Sequence, residues 1–203
     1  MREAEQYHAF LRARTSSRHF LPDPVAEVVL NRMLETATRA ASAHNRQPWR
    51  FAVLRTAMAK VRLADAMAAA FRRDLEVDGV APNEQAVLLE RSRSRIMSAP
   101  LAIAVCMDMT DMDIYPDILR QQAERTMATQ SVANAATTLL LAAEAEGLGA
   151  VWICGPLFAP QGVREALELA VSWEPQALLL VGKPARAPAF RPRRELKEVV
   201  VYR

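Results

Sequence analysis

Apolar residues recur at helical spacing between residues 25 and 41, where Val25, Val28, Val29, Met33, Leu34 and Ala37 share one side. Pro24 stands where a first helical turn tolerates it. A second helix is predicted over 58–73, with Leu63, Met67, Ala70 and Phe71 on its apolar side, until Asp78-Gly79 and Pro82 interrupt it. Asn83 caps the next helix, which runs to about Ser98. Short helices are predicted over 3–12 and 160–169. Four short apolar runs, 51–54, 101–107, 150–154 and 177–181, read as strands, the second of them buried on both faces. The longest helix spans about 116–146 and ends at Gly147. Its part from 132 to 143 is apolar almost all round, which predicts cover on every side, by the sheet and by a second subunit. The tail 195–202 closes in Val199-Val200-Val201-Tyr202, a β-prone stretch. Strands separated by helices predict an α/β or α+β sheet with heavy helical cover. No repeat, linker or low-complexity block divides residues 1–203, so one domain is expected.

Composition narrows the function classes. The 203 residues are 51% hydrophobic but only 6% aromatic, so Leu, Ala, Val and Met must fill the core. A net charge of +3, scattered along the chain, does not argue for nucleic acid. Residues 91–95, Arg-Ser-Arg-Ser-Arg, read as a solvated helix face, because five residues spread around the whole girth of a helix. Without a long apolar run or an N-terminal leader pattern, a cytoplasmic protein away from membranes is expected. Cys106 and Cys154 lie in apolar runs and read as buried free thiols. The three histidines lack metal-ligand spacing, so no metal is expected. Asp108, Asp111 and Asp113 read as solvated loop residues, and Glu144 and Glu146 as surface charges.

Three clusters carry the candidate chemistry. Residues 42–51, Ser-Ala-His-Asn-Arg-Gln-Pro-Trp-Arg-Phe, crowd donors and acceptors ahead of a strand, a wall suited to a flat heteroaromatic ligand such as a flavin. Near the N-terminus, Arg14-Thr-Ser-Ser-Arg-His-Phe20 alternates Arg14, Ser16 and Arg18 on one side of an extended segment, a composition that suits a phosphate. Near the C-terminus, Arg191-Pro-Arg-Arg194 is a stiff basic loop. Residues 147–155 hold glycines before and after a strand, and Gly155 permits close backbone approach to a ring. No nucleophile elbow, phosphate loop or acid–base dyad is present.

In order and spacing, these clusters resemble the nitroreductase family of flavin enzymes. The resemblance runs from Arg14–Phe20 through Pro22-Asp-Pro24 and Ala41–Trp49, then Gly147-Leu-Gly-x-x-Trp-Ile, Val181-Gly-Lys-Pro184, Arg191-Pro-Arg193 and Glu198-Val-Val200. Residues 153–158, 163–167 and 173–175 look most like the flavin-binding C-terminal domain of coenzyme F420 γ-glutamyl ligase. The resemblance implies an α+β fold, a mixed and mostly antiparallel sheet wrapped by helices in an intertwined homodimer, with FMN at the interface. It implies hydride transfer from NAD(P)H through the flavin to a nitroaromatic, quinone or similar small acceptor. The other reading it leaves open is a flavin- or deazaflavin-binding module without turnover. By this resemblance Arg14, Ser16 and Arg193 hold the phosphate with Arg191 beside it. Arg18 sits near the pyrimidine edge, and Gly155 offers backbone near the reactive nitrogen. Ser42, Asn45 and Gln47 come from the other subunit. No side chain is assigned a catalytic role, because the flavin carries the chemistry. This chain departs from the family pattern at Thr15, at His44, which is a candidate to face the substrate, and at Cys154.

Overall fold

The four apolar runs form strands β1 (Trp49–Leu54), β2 (Leu101–Asp108), β3 (Gly149–Ile153) and β4 (Trp173–Gly182). They make one antiparallel sheet in the order β1-β2-β4-β3. The computed structural model describes residues 2–187 and 191–203. Strand β2 is buried along its whole length, which is why its sequence does not alternate. Ile103, Val105 and Met107 face one side, and Ala102 and Ala104 the other. The first side is covered by α2 (Glu27–Ala37) and α5 (Ile118–Ala145). The second is covered by α3 (Ala57–Val77), α4 (Pro82–Met97) and α6 (Pro160–Ala166). This is the α+β arrangement that the resemblance implies.

Along 132–143, Val132, Ala135, Ala136, Leu139, Leu140, Ala142 and Ala143 of α5 are buried within one chain, against the sheet and α2, while Ala133 and Leu141 stay half-buried. A helix packed between a sheet and another helix can be apolar over most of its girth and still be satisfied. The tail does not form a strand in the single chain. Residues Leu196–Val199 make a one-turn helix, α7, and only Val200 keeps extended angles (φ −123°, ψ 132°). A β-prone segment needs a neighbouring strand for its backbone groups, and among the described residues no strand pairs with this tail.

After α1 (Arg2–Ala13), residues 14–20 run along the β3 edge of the sheet. Ser16 bridges Ala150, Ser17 N–H donates to the Ala150 carbonyl at 3.0 Å, and Phe20 bridges Pro184. Gly149 makes this possible: a Cβ there would stand 2.4 Å from Ser17 Oγ. Among the described residues, no helix is long and apolar enough to cross a membrane.

Candidate functional site

The N-terminal cluster takes its place from the β3 edge. Arg14, Thr15 and Ser16 are half-buried there, while Arg18 and His19 are exposed. Across from them, α4 contributes a residue that its sequence context hides. Arg95 is half-buried, and burial lowers its pKa, as do the neighbouring charges of Arg91 and Arg18. Three guanidinium groups thus share one region, an arrangement that attracts an anionic ligand. Residues 91–95 are therefore not a uniformly solvated face: Ser92, Arg93 and Arg95 are half-buried.

One helical turn before Arg95, Ser92 lines a cavity of about 390 Å³ with Met67, Phe71, Ile153, Gly155 and Phe158. That volume lies within the usual range for small-molecule and cofactor sites, about 300–1,000 Å³. A Cβ on Gly155 would come 2.4 Å from Met67 Cε, so any side chain there pushes that methyl aside. Hence Arg14, Ser16, Arg18 and Gly155 are brought to one edge of the sheet, with Ser92 and Arg95. The sequence signal for these two was their i, i+3 spacing, which places them on one helix face.

The loop 42–47 stands at the opposite edge, just before β1. Strands lie about 4.8 Å apart, so three spacings separate β1 from β3 by roughly 14 Å. Ser42, Asn45 and Gln47 therefore do not meet Gly155 within one chain. The loop is held in an unusual shape, with His44 (φ 49°), Asn45 (φ 55°) and Gln47 (φ 51°) in the left-handed region. Side-chain-bearing residues adopt it there only when their surroundings impose it, and such places cluster at binding sites. The Gln47 N–H donates to Ser42 Oγ at 3.2 Å, and Gln47 Nε2 donates to Asn45 Oδ1 at 3.3 Å. From α5, buried Ser131 accepts the Ala43 N–H at 3.1 Å, and Asn134 donates to the Ala41 carbonyl at 3.2 Å. His44 is exposed at the loop surface.

Among the described residues, no hydrogen bond or ion pair joins Arg191 or Arg193 to either group. Arg191 and Arg193 are exposed, and Arg193 Nη1 donates to the Arg191 carbonyl at 3.0 Å.

Three residue readings change with the tertiary structure. Cys106 is buried, its thiol pushed up to about 12 by desolvation, whereas Cys154 is exposed because β3 ends before it. Asp108 is buried rather than solvated. Burial raises its pKa, but the Thr110 hydroxyl and N–H, Arg50 and Ser172 outweigh it, and the net shift is downward. Asp113 accepts from Arg46.

Comparison with known proteins places this architecture. The profile of the Nitroreductase family matches residues 11–183. A 5,6-dimethylbenzimidazole synthase of Rhodospirillum rubrum is 32% identical over 178 residues, covering 87% of this chain and 81% of that protein. An NADH dehydrogenase of Thermus thermophilus is 31% identical over 214 residues, covering 94% of this chain and 92% of its own. Among solved structures, a nitroreductase of Desulfovibrio desulfuricans in complex with FMN superposes with a TM-score of 0.73 at 25% identity, over 96% of this chain and 95% of that one.

Proposed function

Since this chain belongs to the nitroreductase family of flavin oxidoreductases, we propose that it binds FMN and transfers hydride from NADH or NADPH to a small organic acceptor such as a nitroaromatic or quinone. The observation that carries the reading is the β3 edge, where Arg18, Arg91 and Arg95 share one region beside a mostly apolar cavity lined by Ser92 and Gly155, with Asp74 and Asp78 also in its lining. A phosphate-bearing ligand with a flat apolar ring fits that pairing of charge and cavity. When bound, FMN supplies the two-electron chemistry that no side-chain dyad of this chain offers. Arg14 and Ser16 hold its phosphate, with Arg191 and Arg193 closing over it from the tail. Arg18, with Arg95 behind it, faces the polar edge of the ring, and Gly155 lets backbone approach it. Ser42, Asn45 and Gln47 reach the ring from a second copy, because within one chain they stand at the far edge of the sheet. His44 faces the acceptor. The 203 residues act as one flavin-binding domain in a homodimer.

The purified protein is expected to be yellow, and stopped-flow mixing with NADH and NADPH to bleach the bound flavin. Protein that takes up no added FMN would overturn the reading. If reduced deazaflavin alone reduces the flavin, the donor is reassigned. If no donor reduces it, the domain is a binding module without turnover. The likeness to the Rhodospirillum rubrum synthase favours one further outcome. Appearance of 5,6-dimethylbenzimidazole among the products would assign that synthesis instead of acceptor reduction.

A further inference from the structure

The left-handed residues 44, 45 and 47 are flanked by two arginines: Arg50 is tied to the buried carboxylate of Asp108, and Arg46 to the partly exposed Asp113, which leans on the buried Glu124. Arg50 Nη1 donates to the carbonyls of Gln47 at 3.2 Å and Trp49 at 2.9 Å. Its Nη2 faces Asp108 at 3.4 Å and Asp111 at 3.7 Å. Asp108 is in turn fixed by the Thr110 hydroxyl at 2.6 Å and N–H at 3.0 Å, and its own N–H donates to the Pro48 carbonyl at 2.8 Å. Arg46 Nη2 donates to Asp113 Oδ1 at 2.5 Å. The Asp113 N–H donates to Oε1 of Glu124 at 3.2 Å. Glu124 is fully buried in α5, and its Oε2 has no hydrogen-bond partner among the described residues.

Stability alone does not account for Glu124. A buried carboxylate oxygen without a partner is costly, and an apolar side chain of similar volume commonly packs as well or better. What an apolar residue cannot do is accept the Asp113 N–H and so fix the carboxylate that Arg46 grips. The same logic holds for Arg50, whose planar fork serves two carbonyls and two carboxylates at once, a geometry that an ammonium group does not reproduce.

We propose that Arg50 and Arg46 are positioning residues, anchored by Asp108 and by Glu124 through Asp113, which hold residues 44–47 in the geometry that receives the ligand ring. The inference rests on the assignment of Asn45 and Gln47 to the flavin. Its consequence is pre-organisation: the loop is set in the free protein, so binding does not bear the cost of ordering it.

The test is flavin affinity, read by fluorescence quenching, for FMN and riboflavin side by side. Arg50→Lys and Arg46→Ala should each weaken both ligands by the same factor, roughly ten-fold or more for Arg50→Lys, because the loop touches the ring that the ligands share. Glu124→Ala should act likewise, whereas Glu124→Gln, whose amide oxygen still accepts the Asp113 N–H, should restore affinity to within about two-fold. If Glu124→Ala does not fold, the exposed pair Arg46 and Asp113 carries the test through Arg46→Ala and Asp113→Ala. Unchanged affinity for both flavins in Arg50→Lys and Arg46→Ala, with a lower melting temperature, would make the network purely structural and overturn the proposal. Weaker FMN with unchanged riboflavin would also overturn it, by moving the arginines to the phosphate. Wild-type protein that binds neither flavin would overturn the flavin assignment itself.

Discussion

Arg193 and Asn45 are assigned to opposite ends of one ligand, so their substitutions separate phosphate grip from ring recognition. Arg193→Ala should lower FMN affinity by about ten- to a hundred-fold and leave riboflavin nearly untouched, because a charge-assisted hydrogen bond contributes on the order of 1.5–3 kcal/mol. Asn45→Ala should weaken both ligands alike. Titration calorimetry with the two flavins checks the pair, and equal FMN affinity in wild type and Arg193→Ala would detach the tail from the site. Asp108 makes a pH prediction. Its folded pKa lies below the ordinary value of 3.8, so its contribution to stability is complete above that pH and disappears as pH falls through the folded value. Melting temperatures measured from pH 6 to pH 2 should show a wild-type acid loss below about pH 3.8 that is shallower in Asp108→Asn. An identical acid limb in the variant would show that other carboxylates dominate. The chemistry of the loop 42–47 is plain in its sequence. The bracing of that loop is not, because Asp108, Asp113 and Glu124 come from segments about sixty residues or more away.

At the scale of elements, α5 carries most consequence. It covers the sheet with Val132, Ala136 and Leu139 while its polar positions Ser131 and Asn134 hold the loop 42–47. Leu139 is fully buried within one chain. Leu139→Ala should therefore cost about 2–5 kcal/mol of unfolding free energy by leaving a cavity, measurable by urea denaturation. A loss under about 1 kcal/mol would mean that α2 or the sheet closes over the gap. The helical spacing in the sequence identified α5 as apolar all round but did not say what lies on each side. Coverage by α2 and by the sheet depends on contacts across a long sequence separation, which a local pattern does not contain.

At the scale of the molecule, the two candidate clusters stand on opposite edges of the sheet, and the tail leaves Leu196, Val199, Val201 and Tyr202 exposed at 60–89%. Both features favour a twofold pairing in which one copy's loop meets the other's β3 edge, since an isologous contact brings each cluster to the other twice. Sedimentation at micromolar concentration should give a dimer, with an interface above the roughly 2,000 Å² at the low end of obligate contacts. Removing residues 196–203 should dissociate or aggregate it and lower flavin uptake. A monodisperse wild-type monomer that still binds flavin would sink the pairing.

Local pattern determined much about this protein by itself. Helical spacing, the β2 run, Gly147 as a helix end and the order of the three polar clusters are properties of neighbouring residues, and backbone geometry translates them directly into elements and a family. The tertiary structure alone decided which apolar faces meet and which charges end up inside. It exposed Cys154 by ending β3 before it, buried Asp108 and Glu124, set Arg95 near Arg18 and Arg91, and gave the tail a helical turn. The reason is physical: periodicity reports that a face is apolar or polar, whereas burial and pairing depend on what the rest of the chain places against it.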